Sequence, residues 1–235
     1  MNNNQLIRAI TALVDLVSRL RGPGGCPWDA KQTDTSLKTY LLEEAYEVLE
    51  AIEHEGPEEV CQELGDLLFQ IVFLAQMAEE RGEYDLVEVM ERITQKMINR
   101  HPHVFGNIAV SGPEDVSENW HKIKMTEKGR LNSKGSLLQS VPESLPALLR
   151  AHRLNERASR MGLKISESKG EEAPLEDTFY LLQEAVKKGD RDGMNDLIGE
   201  ILFGLADLAR VHGLNSEHIL REKNNRFAAD FKDAK

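Results

Sequence analysis

Apolar residues recur every three to four positions along most of this chain, a spacing typical of amphipathic helices. The first such segment ends at the run 21–25, where three glycines and a proline force a loop. Its apolar positions are Leu6, Ile10, Leu13, Val14, Val17 and Leu20. Strand-like alternation of Val, Ile and Thr is nearly absent. The pattern therefore predicts an all-α protein.

Residues 35–81 predict two long helices joined by a tight turn at Gly56-Pro57, because glycine commonly ends a helix and proline suits the first turn of the next. We expect an antiparallel hairpin whose N-cap is Asp34, Thr35 or Ser36. The second helix is mostly apolar and is expected to be buried. The apolar positions of the two helices are Leu41, Leu42, Ala45, Val48, Leu49 and Ile52, then Leu64, Leu67, Leu68, Ile71, Val72, Leu74 and Ala75.

Helical spacing continues beyond the hairpin. One helix is predicted from about Tyr84 to Arg100, and another begins after Ser111-Gly112-Pro113. Residues 126–141 are polar and contain two glycines, which indicates a linker. We therefore place an N-terminal domain at 1–128, the linker at 129–141 and a C-terminal domain at 142–235.

The composition narrows the possible partners. The chain has 29 Lys and Arg against 40 Asp and Glu, a net charge of −11, which argues against binding to a nucleic-acid polymer. We see no apolar run long enough to span a membrane and no signal peptide. The two cysteines, Cys26 and Cys61, form no disulfide framework. A cytoplasmic protein with reduced thiols is expected.

Two pairs of carboxylates lie on the hairpin. Glu44 and Glu47 are three residues apart, as are Glu63 and Asp66, so each pair shares a helix face. Folding the hairpin about residue 55 brings the two pairs opposite each other. Carboxylates this close repel one another unless a cation neutralises them, and a hard divalent cation prefers oxygen ligands. The alternative is that both pairs are solvated surface charges.

Several motifs together carry a family resemblance. Glu43-Glu44-x-x-Glu47 followed by Glu63-x-x-Asp66 resembles the EExxE…ExxD signature of the MazG family, which comprises all-α nucleoside triphosphate pyrophosphohydrolases. Three further motifs are similar to MazG in the same order, namely 25–29 with Gln32-Thr33, 65–69, and 100–106. The resemblance is strong over about residues 5–160 and weak beyond.

The resemblance implies Mg²⁺-dependent hydrolysis of a nucleoside triphosphate (NTP or dNTP) to the monophosphate and pyrophosphate, with Mn²⁺ as a possible substitute metal. It implies metal ligation by the four carboxylates of the two pairs. A carboxylate that is not fully used as a ligand could orient or deprotonate the attacking water, and either Glu43 or Glu47 could do so. Phosphoryl transfer depends mainly on positioning and charge neutralisation, which such a site provides.

Three more residues are candidates for substrate binding. Lys96 and Arg100 share a face in the last turn of their helix, where they could stabilise the helix C-terminus or clamp phosphate oxygens. In the family, the corresponding basic residues face the triphosphate, which favours the clamp. Trp120 could be a core aromatic residue or, as the resemblance implies, could stack on the base. His101 and His103 lie beyond the helix end and are expected to be structural.

The second half of the chain repeats the first in a degenerate form. Residues 181–185 match 41–45, and 198–203 match 64–69. Glu184 and Glu200 retain acidic side chains, whereas Lys187 and Leu197 replace two ligands, and Arg226 and Asp230 correspond to Lys96 and Arg100. We therefore expect catalysis in the N-terminal domain, with a structural, regulatory or pairing role for the C-terminal one.

Two other functions are compatible with parts of this pattern. A nucleotide-sensing regulatory protein with little or no turnover is the alternative, although binding alone does not need four carboxylates. A di-iron carboxylate bundle would need Glu-x-x-His motifs on its helices, and these are missing from the two pairs.

A single hairpin cannot bury both faces of so apolar a helix, so we expect two tandem MazG-like domains completed by homodimerisation.

Overall fold

The computed structural model describes residues 2–127, 138–163 and 175–230, and these residues form helices, turns and loops, with no β-strand among them. This confirms the predicted all-α class. The helices, numbered in chain order, are α1 (Asn3–Arg21), α2 (Asp34–His54), α3 (Pro57–Glu80), α4 (Leu86–Arg100), α5 (Pro102–Phe105), α6 (Pro113–Glu127), α7 (Ala147–Arg160), α8 (Leu175–Lys188), α9 (Arg191–Val211) and α10 (Ser216–Asp230). A short 3₁₀ turn, Asp29–Lys31, lies between α1 and α2.

The chain forms two compact units, residues 1–121 and 122–235. In the first unit, α3 packs against both α2 and α1, and in the second, α9 packs against both α8 and α7. The two units thus repeat one arrangement, in which a helical hairpin is covered by the helix that precedes it. The predicted linker 129–141 lies mostly outside the described residues, so the proposed domain boundaries stay a prediction.

Local sequence explains the position of the hairpin. Pro57 begins α3 directly after Gly56, as the pattern predicted. The N-cap of α2 is Thr33, so the expectation of Asp34, Thr35 or Ser36 was wrong. Thr33 Oγ1 accepts the Ser36 backbone N–H at 3.2 Å, and Ser36 Oγ accepts the Thr33 N–H at 2.9 Å. Asp34 occupies the first turn instead, where its negative charge favours the helix dipole.

The core of the first unit lies where α1 crosses the hairpin. Its fully enclosed members are Val17 of α1, Leu37 of α2, and Val72, Phe73 and Met77 of α3. Each is at most 4% exposed. Burial of a large aliphatic or aromatic side chain contributes about 1.5–3 kcal/mol, so this cluster fixes α1 and α2 on the C-terminal half of α3.

The expectation that α3 is buried was wrong for one of its faces. Leu64, Leu68 and Ile71 are 49%, 46% and 40% exposed. The physical reason is that the core residues of α3, Val72, Phe73 and Met77, lie on another face of the helix, so the face of Leu64, Leu68 and Ile71 stays open. Residues 72–78 of the helix are buried or half-buried, as its composition predicted.

The composition of α3 is also relevant to whether a helix of this chain could span a membrane. By length and composition alone, this 24-residue helix is apolar enough to cross a bilayer, which differs from the sequence expectation. It carries four acidic residues in its first ten positions, between Glu58 and Asp66. Its C-terminal half belongs to the core of the first unit, and a core helix of this kind satisfies the same criterion.

Candidate active site

Three of the four predicted metal ligands come together between α2 and α3. Carboxylate oxygens of Glu44, Glu63 and Asp66 lie within 4.8 Å of one another. Glu44 and Glu63 are half-buried, and Asp66 is exposed. The antiparallel hairpin produces this arrangement because its turn is centred near residue 55, about equally far from the two pairs. The cluster is therefore open to solvent on one side.

The other two acidic candidates lie beside this cluster. Glu47 is exposed one turn after Glu44, and its charge acts on both Glu44 and Glu63. Glu43 is also exposed, and it precedes Glu44 by one residue, which turns it about 100° around the helix. Glu47 thus borders the cluster, whereas Glu43 occupies the adjacent face of α2.

The electrostatics of the cluster indicate an excess of negative charge. Burial raises the pKa of the Glu44 carboxyl, and the neighbouring charges of Glu47 and Asp66 raise it further, against a hydrogen bond from Gln70 that lowers it. Burial also raises the pKa of Glu63, with Glu47, Asp66 and Glu55 adding to the effect. Each ionised carboxylate is disfavoured by the others, so a bound cation would stabilise all of them.

The donor set fits a hard divalent cation. Mg²⁺ takes oxygen ligands at about 2.0–2.1 Å, so ligands on opposite sides of the ion lie about 4.2 Å apart. Adjacent ligands lie about 2.9 Å apart, so the oxygen atoms of Glu44, Glu63 and Asp66, which lie within 4.8 Å of one another, can converge on one ion by short side-chain movements. Mg²⁺ commonly retains waters and also binds substrate phosphates, and the open side of the cluster provides room for both.

One residue of this site was missed in the sequence. Gln70 Nε2 donates a hydrogen bond to Glu44 Oε1 at 3.3 Å. Gln70 lies one turn beyond Asp66, on the same face of α3 as the two carboxylates of that helix. It is the only polar residue between Leu67 and Ala75, and this isolated amide was the signal that could have identified it.

The predicted phosphate and base ligands form a second group in the first unit. The guanidinium carbon of Arg100 lies 5.1 Å from the centre of the Trp120 ring, and Arg100 is only 5% exposed. Trp120 is half-buried and has an edge-on contact with His101 at 5.0 Å between ring centres. Lys96 is exposed one turn earlier on α4. The structure thus brings Arg100 and Trp120 together, with Lys96 on the same helix face as Arg100.

The two histidines after α4 occupy structural positions. His101 Nδ1 lies 2.6 Å from the Met97 carbonyl oxygen, a contact that closes the end of α4. The rings of His101 and His103 are 5.6 Å apart. These contacts agree with the expectation that the histidines hold the segment after α4 in place.

The second unit lacks an equivalent acidic cluster in its described part. Lys187 Nζ lies 2.7 Å from Glu184 Oε1, so a lysine side chain neutralises the acidic residue that corresponds to Glu44. Leu197 is half-buried where the first unit has Glu63, and Glu200 is exposed. Among residues 138–163 and 175–230, no three acidic, histidine or cysteine side chains of this unit alone lie within 4.8 Å of one another.

Comparison with known proteins identifies one family domain and several proteins similar to most of this chain. Residues 32–105 match the MazG nucleotide pyrophosphohydrolase domain. A nucleoside triphosphate pyrophosphohydrolase/pyrophosphatase MazG of Thermotoga maritima is 38% identical over 220 residues, which cover 94% of this chain and 83% of the relative. A nucleoside triphosphate pyrophosphohydrolase of Escherichia coli K12 is 36% identical over 237 residues, covering 98% and 87%. The uncharacterized protein YabN of Bacillus subtilis is 39% identical over 217 residues, covering 92% of this chain and 44% of the relative.

Proposed function

We propose that this chain, which belongs to the MazG family, hydrolyses nucleoside triphosphates to nucleoside monophosphates and pyrophosphate in a Mg²⁺-dependent reaction. The observation that carries the proposal is the cluster of Glu44, Glu63 and Asp66 between α2 and α3. Pyrophosphohydrolase activity is named for the relatives in Thermotoga maritima and Escherichia coli, which match nearly the whole chain.

Glu44, Glu63 and Asp66 would hold the Mg²⁺ ion, with Glu47 at the edge of the site as a fourth ligand or a base. When bound, the ion would neutralise phosphate charge and polarise the phosphoryl group that reacts. Mn²⁺ has the same charge and also accepts oxygen ligands, so it would be a functional substitute. The protein's own contribution is to hold these carboxylates close together, where their mutual repulsion favours the binding of a cation.

The reaction needs a group that takes a proton from the attacking water. The oxygen of that water forms a bond to the α-phosphorus, and the bond from the α-phosphorus to the bridging oxygen of the pyrophosphate breaks. We assign the proton transfer to Glu47, because it borders the carboxylate cluster and stays exposed to solvent. Glu43 lies on the adjacent face of α2 and is the second candidate for this role.

The basic group on α4 would bind the rest of the substrate. Lys96 offers an exposed ammonium group that could attract the terminal phosphates. The guanidinium carbon of Arg100 lies 5.1 Å from the centre of the Trp120 ring, a contact that limits the freedom of this side chain before substrate arrives. A pre-organised guanidinium loses less side-chain entropy when it binds an anion. Trp120 would offer an aromatic surface to the nucleoside.

We assign catalysis to the first unit. The family domain match lies within its residues 32–105, which include the carboxylates and the basic residues. In the second unit, Lys187 neutralises Glu184, and Leu197 provides no ligand atom. A lysine at a ligand position would also repel a divalent cation, so weak Mg²⁺ binding through waters is the most that this unit should retain.

A product assay tests the proposed reaction. Purified chain with Mg²⁺ and a panel of NTPs and dNTPs should release nucleoside monophosphate and pyrophosphate in equal amounts. In ¹⁸O-labelled water, the label should appear in the monophosphate, because attack occurs at the α-phosphorus. A chelator should abolish turnover, and added Mn²⁺ should restore it. Release of diphosphate and orthophosphate would contradict the proposal, and tight nucleotide binding without products would favour a regulatory protein.

A further inference from the structure

Gln70 is a buried polar residue in an apolar environment. It is 8% exposed on α3, where its neighbours in sequence from Leu67 to Ala75 are all apolar. Its Nε2 donates to Glu44 Oε1 at 3.3 Å, which is a long hydrogen bond. Its Oε1 is buried without a hydrogen-bond partner in the described part of the chain. The side chain therefore has one hydrogen bond and one unsatisfied acceptor.

The direction of this amide follows from the chemistry of its neighbour. An ionised carboxylate offers only acceptors, so the amide nitrogen must face Glu44 and the amide oxygen must point away. The opposite orientation would place two oxygen atoms at 3.3 Å with no proton between them. The hydrogen bond thus occupies one oxygen of Glu44 and limits the rotation of its carboxylate group.

This arrangement is a poor choice for stability alone. A buried acceptor without a partner destabilises the folded state, and one long hydrogen bond offsets only part of that effect. An apolar side chain of similar shape would pack among the neighbouring Leu and Val residues without any unsatisfied atom. A residue that weakens the fold and contacts a ligand of the candidate metal site is better explained by a role at that site.

We propose that Gln70 is a positioning residue, which fixes the carboxylate of Glu44 in the orientation that binds the divalent cation. The inference rests on the proposed function, since it assumes that Glu44 is a metal ligand. Hydrogen bonds from outer residues to metal ligands commonly change metal affinity by about 10- to 100-fold. Gln70 lies one helical turn beyond Asp66, so a single face of α3 carries Glu63, Asp66 and the amide that orients Glu44 on α2.

Substitution by an isosteric apolar residue tests this role. Gln70→Met keeps the length and shape of the side chain but cannot donate to Glu44. We expect Mn²⁺ binding by the nucleotide-free full chain, measured by electron paramagnetic resonance, to weaken about tenfold. The melting temperature of the metal-free protein should stay the same or rise, because the unsatisfied acceptor is gone. Gln70→Leu should give the same two results and serves if the Met variant folds poorly.

A matched control lies on the same helix. Gln76 of α3 donates a hydrogen bond to Glu80, a glutamate outside the carboxylate cluster. Gln76→Met should therefore leave Mn²⁺ affinity unchanged. This control separates the loss of one glutamine–glutamate hydrogen bond from the loss of the bond at the metal site.

The outcomes distinguish this inference from the proposed function. If the wild-type chain binds Mn²⁺ and the Gln70 variants bind it equally well, the inference is wrong and the metal site stands. If the variants lose both affinity and several degrees of melting temperature, Gln70 has a structural role and the inference is also wrong. If the wild-type chain fails to bind Mn²⁺, or binding survives Glu63→Ala unchanged, the proposed metal site fails and the inference fails with it.

Discussion

The exposed apolar stripes of α2 and α3 lead to the prediction that the chain pairs with a second copy. Each helix of the hairpin leaves three large apolar side chains open at helical spacing. They are Leu42, Leu49 and Ile52 on α2 and Leu64, Leu68 and Ile71 on α3, with exposures between 40% and 60%. Together they expose the equivalent of about three complete side chains, which is more than scattered surface residues would explain.

The free energy available from these stripes can be estimated. Burial of one such side chain contributes about 1.5–3 kcal/mol, so two copies of the stripes give about 9–18 kcal/mol. Association costs about 4–15 kcal/mol in lost freedom of motion. The stripes of the first unit alone would thus give weak pairing. Similar side chains exposed on α8 and α9 add a comparable gain, so the two sets together give about 18–36 kcal/mol. After subtraction of the association cost, the middle of these ranges exceeds the roughly 8 kcal/mol of a micromolar complex.

Sedimentation velocity measures this prediction directly. The wild-type chain of 26.5 kDa should sediment as a dimer at micromolar concentration. Leu68→Glu should weaken the dimer at least about a thousandfold, because each copy loses apolar burial and gains a carboxylate in the interface. Leu202→Glu, at the equivalent position of α9, should also weaken it. Val87→Glu is the control, since Val87 is 55% exposed on α4, outside the stripes.

A monomeric wild-type chain at about 50 μM, well above the micromolar range expected for this interface, would refute the reasoning. A dimer that tolerates Leu68→Glu would show that the hairpin stripes are not its interface. Both variants should keep the helical circular dichroism of the wild type, because neither position belongs to the enclosed core.

Three further predictions concern the site and the stability of the first unit. Glu63→Ala should lower turnover at least about 100-fold while Glu200→Ala leaves it nearly unchanged, as a pyrophosphate-release assay would show, and the reverse result would place catalysis in the second unit. Arg100→Ala should raise KM and lower kcat for ATP, since a cation at the terminal phosphates stabilises the bound substrate and, more strongly, the negative charge that develops on the departing pyrophosphate. An unchanged KM in steady-state kinetics would limit Arg100 to its contact with Trp120. Arg21 holds the pKa of Glu80 below its ordinary value of 4.5, so this pair stabilises the fold above that value and ceases to do so as pH falls through the folded pKa. The free energies of unfolding of wild type and Glu80→Gln, from urea titrations, should therefore converge below pH 4.5, and a constant difference down to pH 3 would contradict this.

The helices and the hairpin could be predicted because their signals are local. Helical spacing and the pair Gly56-Pro57 fixed the ends of α2 and α3 near the turn. Burial could not be predicted in the same way. Leu68 and Val72 are both apolar, but Val72 is enclosed in the core with Val17 of α1, whereas Leu68 stays 46% exposed. Sequence periodicity identifies an apolar face, and only the packing of neighbouring helices decides how much of it is enclosed.

The candidate site was predictable only as far as hairpin geometry determines it. The symmetry of the two carboxylate pairs about residue 55 was enough to bring Glu44 near Glu63 and Asp66. Gln70 was missed because an amide within an apolar run is read as part of the core. The contact of Arg100 with Trp120 joins residues twenty positions apart on different helices, and no local pattern predicts that distance.

The second unit shows which properties of the repeat have been kept. The alignment that places Glu200 opposite Asp66 also pairs three exposed apolar positions of α9 with three of α3. Their exposures are nearly equal, at 47% and 49% for Ile198 and Leu64, 46% and 46% for Leu202 and Leu68, and 40% and 40% for Leu205 and Ile71. Two ligand positions in the same helices have meanwhile become Lys187 and Leu197, which removes the need for a cation. An apolar surface that stays exposed while two neighbouring ligand positions are lost favours a pairing role for this unit over a catalytic one.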